Sequence, residues 1–291
     1  MNIGTKRLFF LGAGAISEAM TAGIIAAKLI PPEQITISNR KHTERLADLH
    51  TRYGVNPSLH MDSDIEQADI IIITVKPFDV LTALHELAPA VKPHHMLVSV
   101  VTGATTTVIE ETLPVAIPVI RAMPNTSSVV QASATAITPG HYATPASIAL
   151  VTELFQALGN CVVVDESLLP AVTGLSGTGP AYIYYLVEAL LQAGLQCGLD
   201  KATCQELLVQ TVYGAGKMLQ VTGRDPTELR KQVTSPNGTT MAALEILDAA
   251  KVQEVVMKAV ASATHRAVEM GEQITNTAHS QQIIEGKGTG R

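Results

Sequence analysis

Leu8-Phe9-Phe10-Leu11-Gly12-Ala13-Gly14-Ala15-Ile16-Ser17 decides the fold. The apolar run reads as a strand, the turn after it is built of small residues, and a helical pattern runs on through Ala15–Ala27. Small residues let the backbone of such a turn approach a pyrophosphate at the helix N-terminus, where unpaired N–H groups and the helix dipole favour an anion. The third small position is Ser17 rather than Gly or Ala. Alone, the segment also fits an ordinary glycine-containing turn. Its place between a strand and a helix makes the dinucleotide reading the stronger one.

Outward from this turn, the first half alternates short apolar runs with helical patterns. Ile35-Thr36-Ile37-Ser38 reads as a strand, followed by a polar helix across Thr43–Tyr53. Ile70–Val75 is apolar except for Thr74, as expected of a parallel strand buried on both faces, and Met96–Val101 repeats the pattern. Further strands are expected from Val119, at Ala134–Thr138 and at Cys161–Asp165, with a helix at Ala146–Ala157. Strands alternating with helices predict an α/β domain with a doubly wound sheet of the Rossmann type over 1–165.

After Asp165 only helices are expected: Tyr182–Leu195, Lys201–Val221, Pro226–Val233, Met241–Ala249 and Val252–Met270. This predicts an all-α domain over 166–271, followed by a disordered polar tail over 272–291. Tyr182–Leu195 carries Glu188 as its only charge, and a helix apolar on every side must be buried. A helical domain this small cannot enclose it, so a subunit interface is expected.

The end of the second strand bears on cofactor choice. A site for NAD would place Asp or Glu there to accept from the ribose 2′-OH. This chain has Ser38-Asn39-Arg40, whose guanidinium suits a 2′-phosphate and so favours NADPH, with NADH as the alternative; Arg40 also fits a solvated loop cation. Val75-Lys76-Pro77 and Ser99–Gly103, with Thr102, stand at equivalent carboxyl edges, where cofactors lie in such sheets. The candidate cofactor-binding residues are therefore Leu11, Gly12, Gly14, Ala15, Ile16, Ser38, Asn39, Arg40, Val75, Lys76, Pro77 and Thr102.

Composition limits the alternatives. The 291 residues are 46% apolar and 16% charged, against about 25% charged in a typical domain. A net charge of −6 without a basic run argues against nucleic acid as partner. Residues 122–152 and 167–187 lack Asp, Glu, Lys and Arg, but Pro, Gly, Ser and Thr interrupt them, so neither reads as a membrane span. No signal peptide is visible. Three cysteines without C-x-x-C spacing fit a reducing compartment, hence the cytoplasm, and leave a catalytic cysteine as a minor alternative. No metal site is expected, since H-E-x-x-H is absent and His94-His95 reads as a solvated loop.

Three stretches narrow the class: Arg121-Ala122-Met123-Pro124-Asn125-Thr126, Ala171–Tyr182 (AVTGLSGTGPAY) and Val233–Thr240 (VTSPNGTT). Together with the N-terminal glycine turn and Val75-Lys76-Pro77, over roughly 7–270, the chain resembles pyrroline-5-carboxylate reductases. The resemblance implies reduction of 1-pyrroline-5-carboxylate to L-proline with NADPH or NADH, the last step of proline synthesis. It implies a helical C-terminal domain that forms a homodimer, often assembled into a decamer, and an active site shared between subunits. It also implies that Ser235, Gly238, Thr239 and Thr240 hold the substrate carboxylate, that Thr240 hydrogen-bonds the ring nitrogen as the catalytic group, and that Glu166 and Thr173 border the pocket.

Physical chemistry agrees with these roles. Pro236-Asn237-Gly238 forces a turn before a helix, so N–H groups near Gly238–Thr240 make an anion site. An ordinary N-cap by Thr239 or Thr240 is the structural alternative. A protonated cyclic imine accepts hydride readily, so positioning and water exclusion should supply most of the acceleration. The chain departs from the family with Asn237 for Gly, Thr178 for Ser and Pro170 for an acidic residue, and His60-Met61-Asp62-Ser63 lacks the Asn expected at the adenine ribose. The rivals are a related imine reductase, a hydroxyacid dehydrogenase and a non-enzymatic nucleotide-binding regulator. A hydroxyacid enzyme would carry Lys on the long helix, and Tyr182–Leu195 has none. A regulator would be expected to lose the Ser235–Thr240 loop, which is present.

Overall fold

The computed structural model describes residues 2–40 and 42–288, with side chains as far as Gln281. β1 (Leu8–Leu11), α1 (Ala15–Ala26), β2 (Ile35–Ser38), α2 (Thr43–Tyr53) and β3 (Asn56–Pro57) open the chain. Then come α3 (Met61–Glu66), β4 (Ile70–Ile73), α4 (Val80–Leu87), β5 (Met96–Ser99), α5 (Thr106–Thr112) and β6 (Val119–Met123). β7 (Ser133–Pro139), α6 (Pro145–Gln156) and β8 (Gly159–Val163) complete an eight-stranded sheet of order β3-β2-β1-β4-β5-β6-β7-β8. Only the β6–β7 pair is antiparallel. This is the doubly wound α/β fold, with the strand order reversing beside β1.

Register aligns the strand ends. Leu11 pairs with Ser38 and Ile73, Ile73 with Ser99, and Ser99 with Arg121, so one row of residues crosses the sheet at its carboxyl edge. The pleat sends alternate side chains to opposite faces. Phe10, Ile70, Ile72 and Val98 join one core with Met20, Ile24 and Phe155. Phe9, Ile71, Ile73 and Leu97 join the other with Leu84, Ile109 and Val119. Because helices cover both faces, the strands need no polar alternation, and all four isoleucines of β4 are at most 1% exposed.

The remaining helices are α7 (Leu169–Val172), α8 (Gly179–Gln196), α9 (Lys201–Thr222), α10 (Pro226–Gln232), α11 (Thr239–Ala249) and α12 (Val252–Gly288), with a π-helical turn at Thr173–Gly177. The chain divides into two compact units, one running to Pro180 and resuming at Ala261, the other Ala181–Val260. The boundary between the compact units falls at Pro180, after the glycine-rich segment. Within the second unit α8 has no buried residue, and Tyr185 and Ile246 are 74% and 71% exposed. Apolar surface on that scale marks a face built for another chain.

The expected disordered tail over 272–291 is corrected as far as Gly288, which ends the continuous helix α12; residues 289–291 lie outside the described residues. The polar composition misleads because two apolar positions one turn apart suffice to dock the helix. Ile274 and Ala278 are buried in the second core cluster. Gly103 makes room for the helix: a Cβ there would stand 2.8 Å from the Gly271 backbone nitrogen. Replacing Ile274 by Ala should therefore cost about 2–4 kcal/mol in chemical denaturation, whereas an undocked tail would leave stability unchanged.

Candidate active site

The glycine turn is held from both neighbouring strands. The Gly12 N–H donates to the Ser38 carbonyl at 3.2 Å. The Thr74 hydroxyl donates to the carbonyls of Leu11 and Gly12 at 3.2 and 3.0 Å. Gly12 has φ +121°, and a Cβ there would lie 2.8 Å from that hydroxyl, so glycine is required. Gly14 caps α1 without a side-chain hydrogen bond, and a Cβ on Gly14 would meet nothing within 4 Å. No capping side chain therefore occupies the first N–H groups of α1, at Ala15 and Ile16. A dinucleotide pyrophosphate fits such a cradle.

Charged groups brace the turn from behind. Arg45 Nε donates to the Ala13 carbonyl at 3.2 Å, and the Arg45 guanidinium also binds Glu18. Tyr53 and Arg52 reach the same carboxylate at 3.0 and 2.6 Å. Burial alone would raise the Glu18 carboxyl, but these hydrogen bonds and positive charges hold it below its ordinary value.

At the edge of β2, Ser38 is buried and its hydroxyl donates to the Phe10 carbonyl at 3.1 Å. Asn39 is half-buried and accepts from the His42 N–H at 3.1 Å. Arg40 is exposed, 3.3 Å from Glu86. Such an exposed pair is worth less than about 1 kcal/mol, so Arg40 can exchange it for a phosphate. Past β4, which ends at Ile73 rather than Val75, Val75 is half-buried, Pro77 begins a short 3-10 helix, and exposed Lys76 lies 5.8 Å from the Phe78 ring. Thr102, half-buried, sits in the turn before α5.

Glu166 is anchored rather than free. Its carboxylate accepts from the Thr106 N–H and hydroxyl at 2.8 and 2.6 Å and from Arg121 at 3.0 Å. Arg121 is 4% exposed, and burial pushes its pKa down while Glu166 opposes the shift. Thr173 is buried at the start of the π-turn, its hydroxyl donating to the Leu169 carbonyl at 2.8 Å. Ser235, Gly238, Thr239 and Thr240 stand in the second compact unit. There Asn237 has φ +58°, so Asn tolerates the left-handed turn. Gly238, not either threonine, caps α11, and it does so without a side-chain hydrogen bond. The amino end of α11 thus keeps its N–H groups available, with Thr239 exposed and Thr240 half-buried.

Sequence reasoning missed Thr74, Arg121 and Asn125 as structural partners of the site. An arginine inside an apolar strand was the available signal for Arg121. Two expectations about other groups change. His95 is buried, not solvated, and accepts from the Lys92 N–H at 2.9 Å. Burial pushes the Cys161 thiol up to about 11, which makes it a poor nucleophile.

A doubly wound sheet with an open glycine turn at its switch point defines a dinucleotide-dependent oxidoreductase. Residues 7–103 match the family described as NADP oxidoreductase, coenzyme F420-dependent, and 166–270 match pyrroline-5-carboxylate reductase dimerisation. Pyrroline-5-carboxylate reductase 1 of Bacillus subtilis is 41% identical over 94% of this chain and 92% of its own length. The Methanosarcina acetivorans enzyme is 36% identical over 92% and 98%. Among solved structures, the pyrroline-5-carboxylate reductase of Coxiella burnetii superposes with TM-score 0.81 at 33% identity, covering 91% of this chain and 98% of that one. The Plasmodium falciparum pyrroline carboxylate reductase, with NADP bound, gives 0.83 at 25%, covering 92% and 99%. The chain belongs to the pyrroline-5-carboxylate reductase family.

The ion pair between buried Arg121 and half-buried Glu166 yields a test. Arg121→Met should destabilise the protein by about 3–5 kcal/mol because it strands the Glu166 carboxylate. Adding Glu166→Gln should recover part of that loss in a double-mutant cycle of denaturation midpoints. Strictly additive losses would show that the pair does not couple.

Proposed function

We propose that this chain reduces 1-pyrroline-5-carboxylate to L-proline with NADPH, the last step of proline synthesis. The observation that carries the reading is a chain of this family with two uncapped helix ends, one at Gly14 and one at Gly238. The first suits a pyrophosphate and the second a small carboxylate.

Bound NADPH would supply a hydride from its nicotinamide to the imine carbon. Leu11, Gly12, Gly14, Ala15 and Ile16 would hold its pyrophosphate; Ser38, Asn39 and Arg40 its 2′-phosphate; Val75, Lys76, Pro77 and Thr102 would line the remaining groove. Ser235, Gly238 and Thr239 fix the substrate carboxylate through N–H and hydroxyl donors. The Thr240 hydroxyl orients the ring at its nitrogen and assists proton delivery. An alcohol is too weak an acid to carry general acid catalysis alone, so positioning dominates. Glu166 and Thr173 form part of the pocket wall.

In this reading the exposed apolar helices of the second unit pair two copies into a homodimer. Dimers assemble into a decamer, and each active site joins the nucleotide domain of one subunit to helices of its partner. The compartment is the cytoplasm, on the strength of three unpaired cysteines. Among the described residues no helix is long and apolar enough to cross a membrane. The net charge of −6 speaks against nucleic acid as a partner.

The deciding experiment follows nucleotide absorbance in the presence of 1-pyrroline-5-carboxylate. Substrate-dependent oxidation of NADPH is expected, and its absence with both NADPH and NADH would overturn the assignment. For cofactor choice, Arg40→Ala should raise KM for NADPH by about tenfold or more while changing that for NADH less than about twofold. Equal effects on both would refute the phosphate contact.

A further inference from the structure

Asn125, just past the end of β6, is 7% exposed and uses every polar atom it has. Its backbone N–H donates to the Ser133 hydroxyl at 3.1 Å. Its carbonyl accepts from the N–H and hydroxyl of Ser128 at 3.2 and 2.8 Å. In the side chain, Oδ1 accepts from the Ser127 N–H at 3.0 Å and so caps the 3-10 helix Thr126–Val130. Nδ2 then donates to the carbonyl of Ser176 at 3.0 Å.

That last bond reaches into the π-turn Thr173–Gly177, where the Thr178 N–H closes onto the Thr173 carbonyl at 2.9 Å. A π-turn breaks the regular i→i+4 ladder, so its carbonyls need partners from elsewhere. The Thr178 hydroxyl serves Thr173 and Gly174 at 3.1 and 3.0 Å, and Asn125 serves Ser176. On its other side, the 3-10 helix that Asn125 caps lies tight against α1. A Cβ on Gly23 would collide with the Ser128 carbonyl oxygen. One amide thus lies between the support of the dinucleotide helix and the turn that carries Thr173.

We infer that Asn125 is a positioning residue of the reductase, fixing the Thr173–Gly177 turn, and through it Thr173, relative to the dinucleotide turn. This rests on the reading of Thr173 as pocket wall. A rigid link is what hydride transfer needs, because small misplacements of the reacting groups cost rate steeply. Neither composition nor motif matching assigns the residue this role, since its partner lies about fifty positions away and is a backbone atom.

The test uses the full-length protein, NADPH and 1-pyrroline-5-carboxylate. Asn125→Ser keeps a hydroxyl that can cap Ser127 but cannot reach Ser176. Asn125→Asp keeps the cap and sets an acceptor against the Ser176 carbonyl. We expect KM for the imine to rise about tenfold in the first and further in the second, with the NADPH dissociation constant within about twofold of wild type. Hydrogen exchange over 174–182 should quicken by about tenfold in both, a readout that needs no substrate. Faster exchange with unchanged imine kinetics would overturn the positioning role while leaving the reductase assignment standing. Parallel loosening of NADPH and imine binding would overturn it in favour of general structural support. A wild-type chain inert toward the imine would instead remove the reductase reading, and this inference with it, whatever the exchange data show.

Discussion

Leu11 is paired on one side with Ser38 and on the other with Ile73, and the row continues through Ser99 to Arg121. This alignment governs the rest of the nucleotide unit. Because β1, β2, β4 and β5 end together on this row, the chain leaves each of them at the same level of the sheet. Gly12, Asn39 and Thr74 therefore follow directly on that row. A slip of one residue in β1 would turn its side chains to the opposite face and move the glycine turn away from Thr74. Burial holds the register: Phe9 and Phe10 point into different cores, and neither face of β1 is available to water.

The same row explains why a charge is tolerated inside β6. Arg121, midway along β6, pairs with Ser99, the last residue of β5, and its guanidinium reaches Glu166, which in turn binds Thr106 at the start of α5. Burying an arginine is costly, and the pair need not add net stability against an apolar substitute. What it provides is geometry: three separate segments, from β6, α5 and the stretch after β8, converge on one carboxylate. Glu166 is thereby fixed by bonds that an apolar cluster could not direct.

Much of the sheet was legible in the sequence because parallel strands buried on both faces leave unbroken apolar runs, as in Leu8–Leu11 and Ile70–Ile73. The glycine turn was legible because backbone conformation, not packing, selects Gly12. Short elements were not. β3 is a pair of residues bonded to β2, and Asn56-Pro57 has no strand pattern of its own. The helices α3, α4 and α5 are too short to establish periodicity. The C-terminal stretch of α12 was misread because its order comes from tertiary docking of Ile274 and Ala278, not from local propensity. In the site, residue types and turns could be read, but partners could not. Thr74 passed as an interruption of an apolar run, and Asn125 as one member of a motif, since both act on backbone atoms remote in sequence.

The scarcity of charged residues has a structural explanation on the second unit. Tyr184, Tyr185, Leu207, Val209 and Ile246 are 55–74% exposed in the single chain, so apolar content there is not hidden in a core of its own. Leaving such a face in water would forfeit on the order of 25 cal/mol for every Å² that association could cover. The dimerisation match spans this unit, so the chain forms an oligomer and its charge deficit reflects surface meant for other copies. That arrangement also suits the chemistry. Hydride transfer to an iminium demands little from acids or bases and much from dry, fixed geometry. Two helix ends without capping side chains leave N–H groups for anions, and they supply fixed geometry rather than acid or base groups.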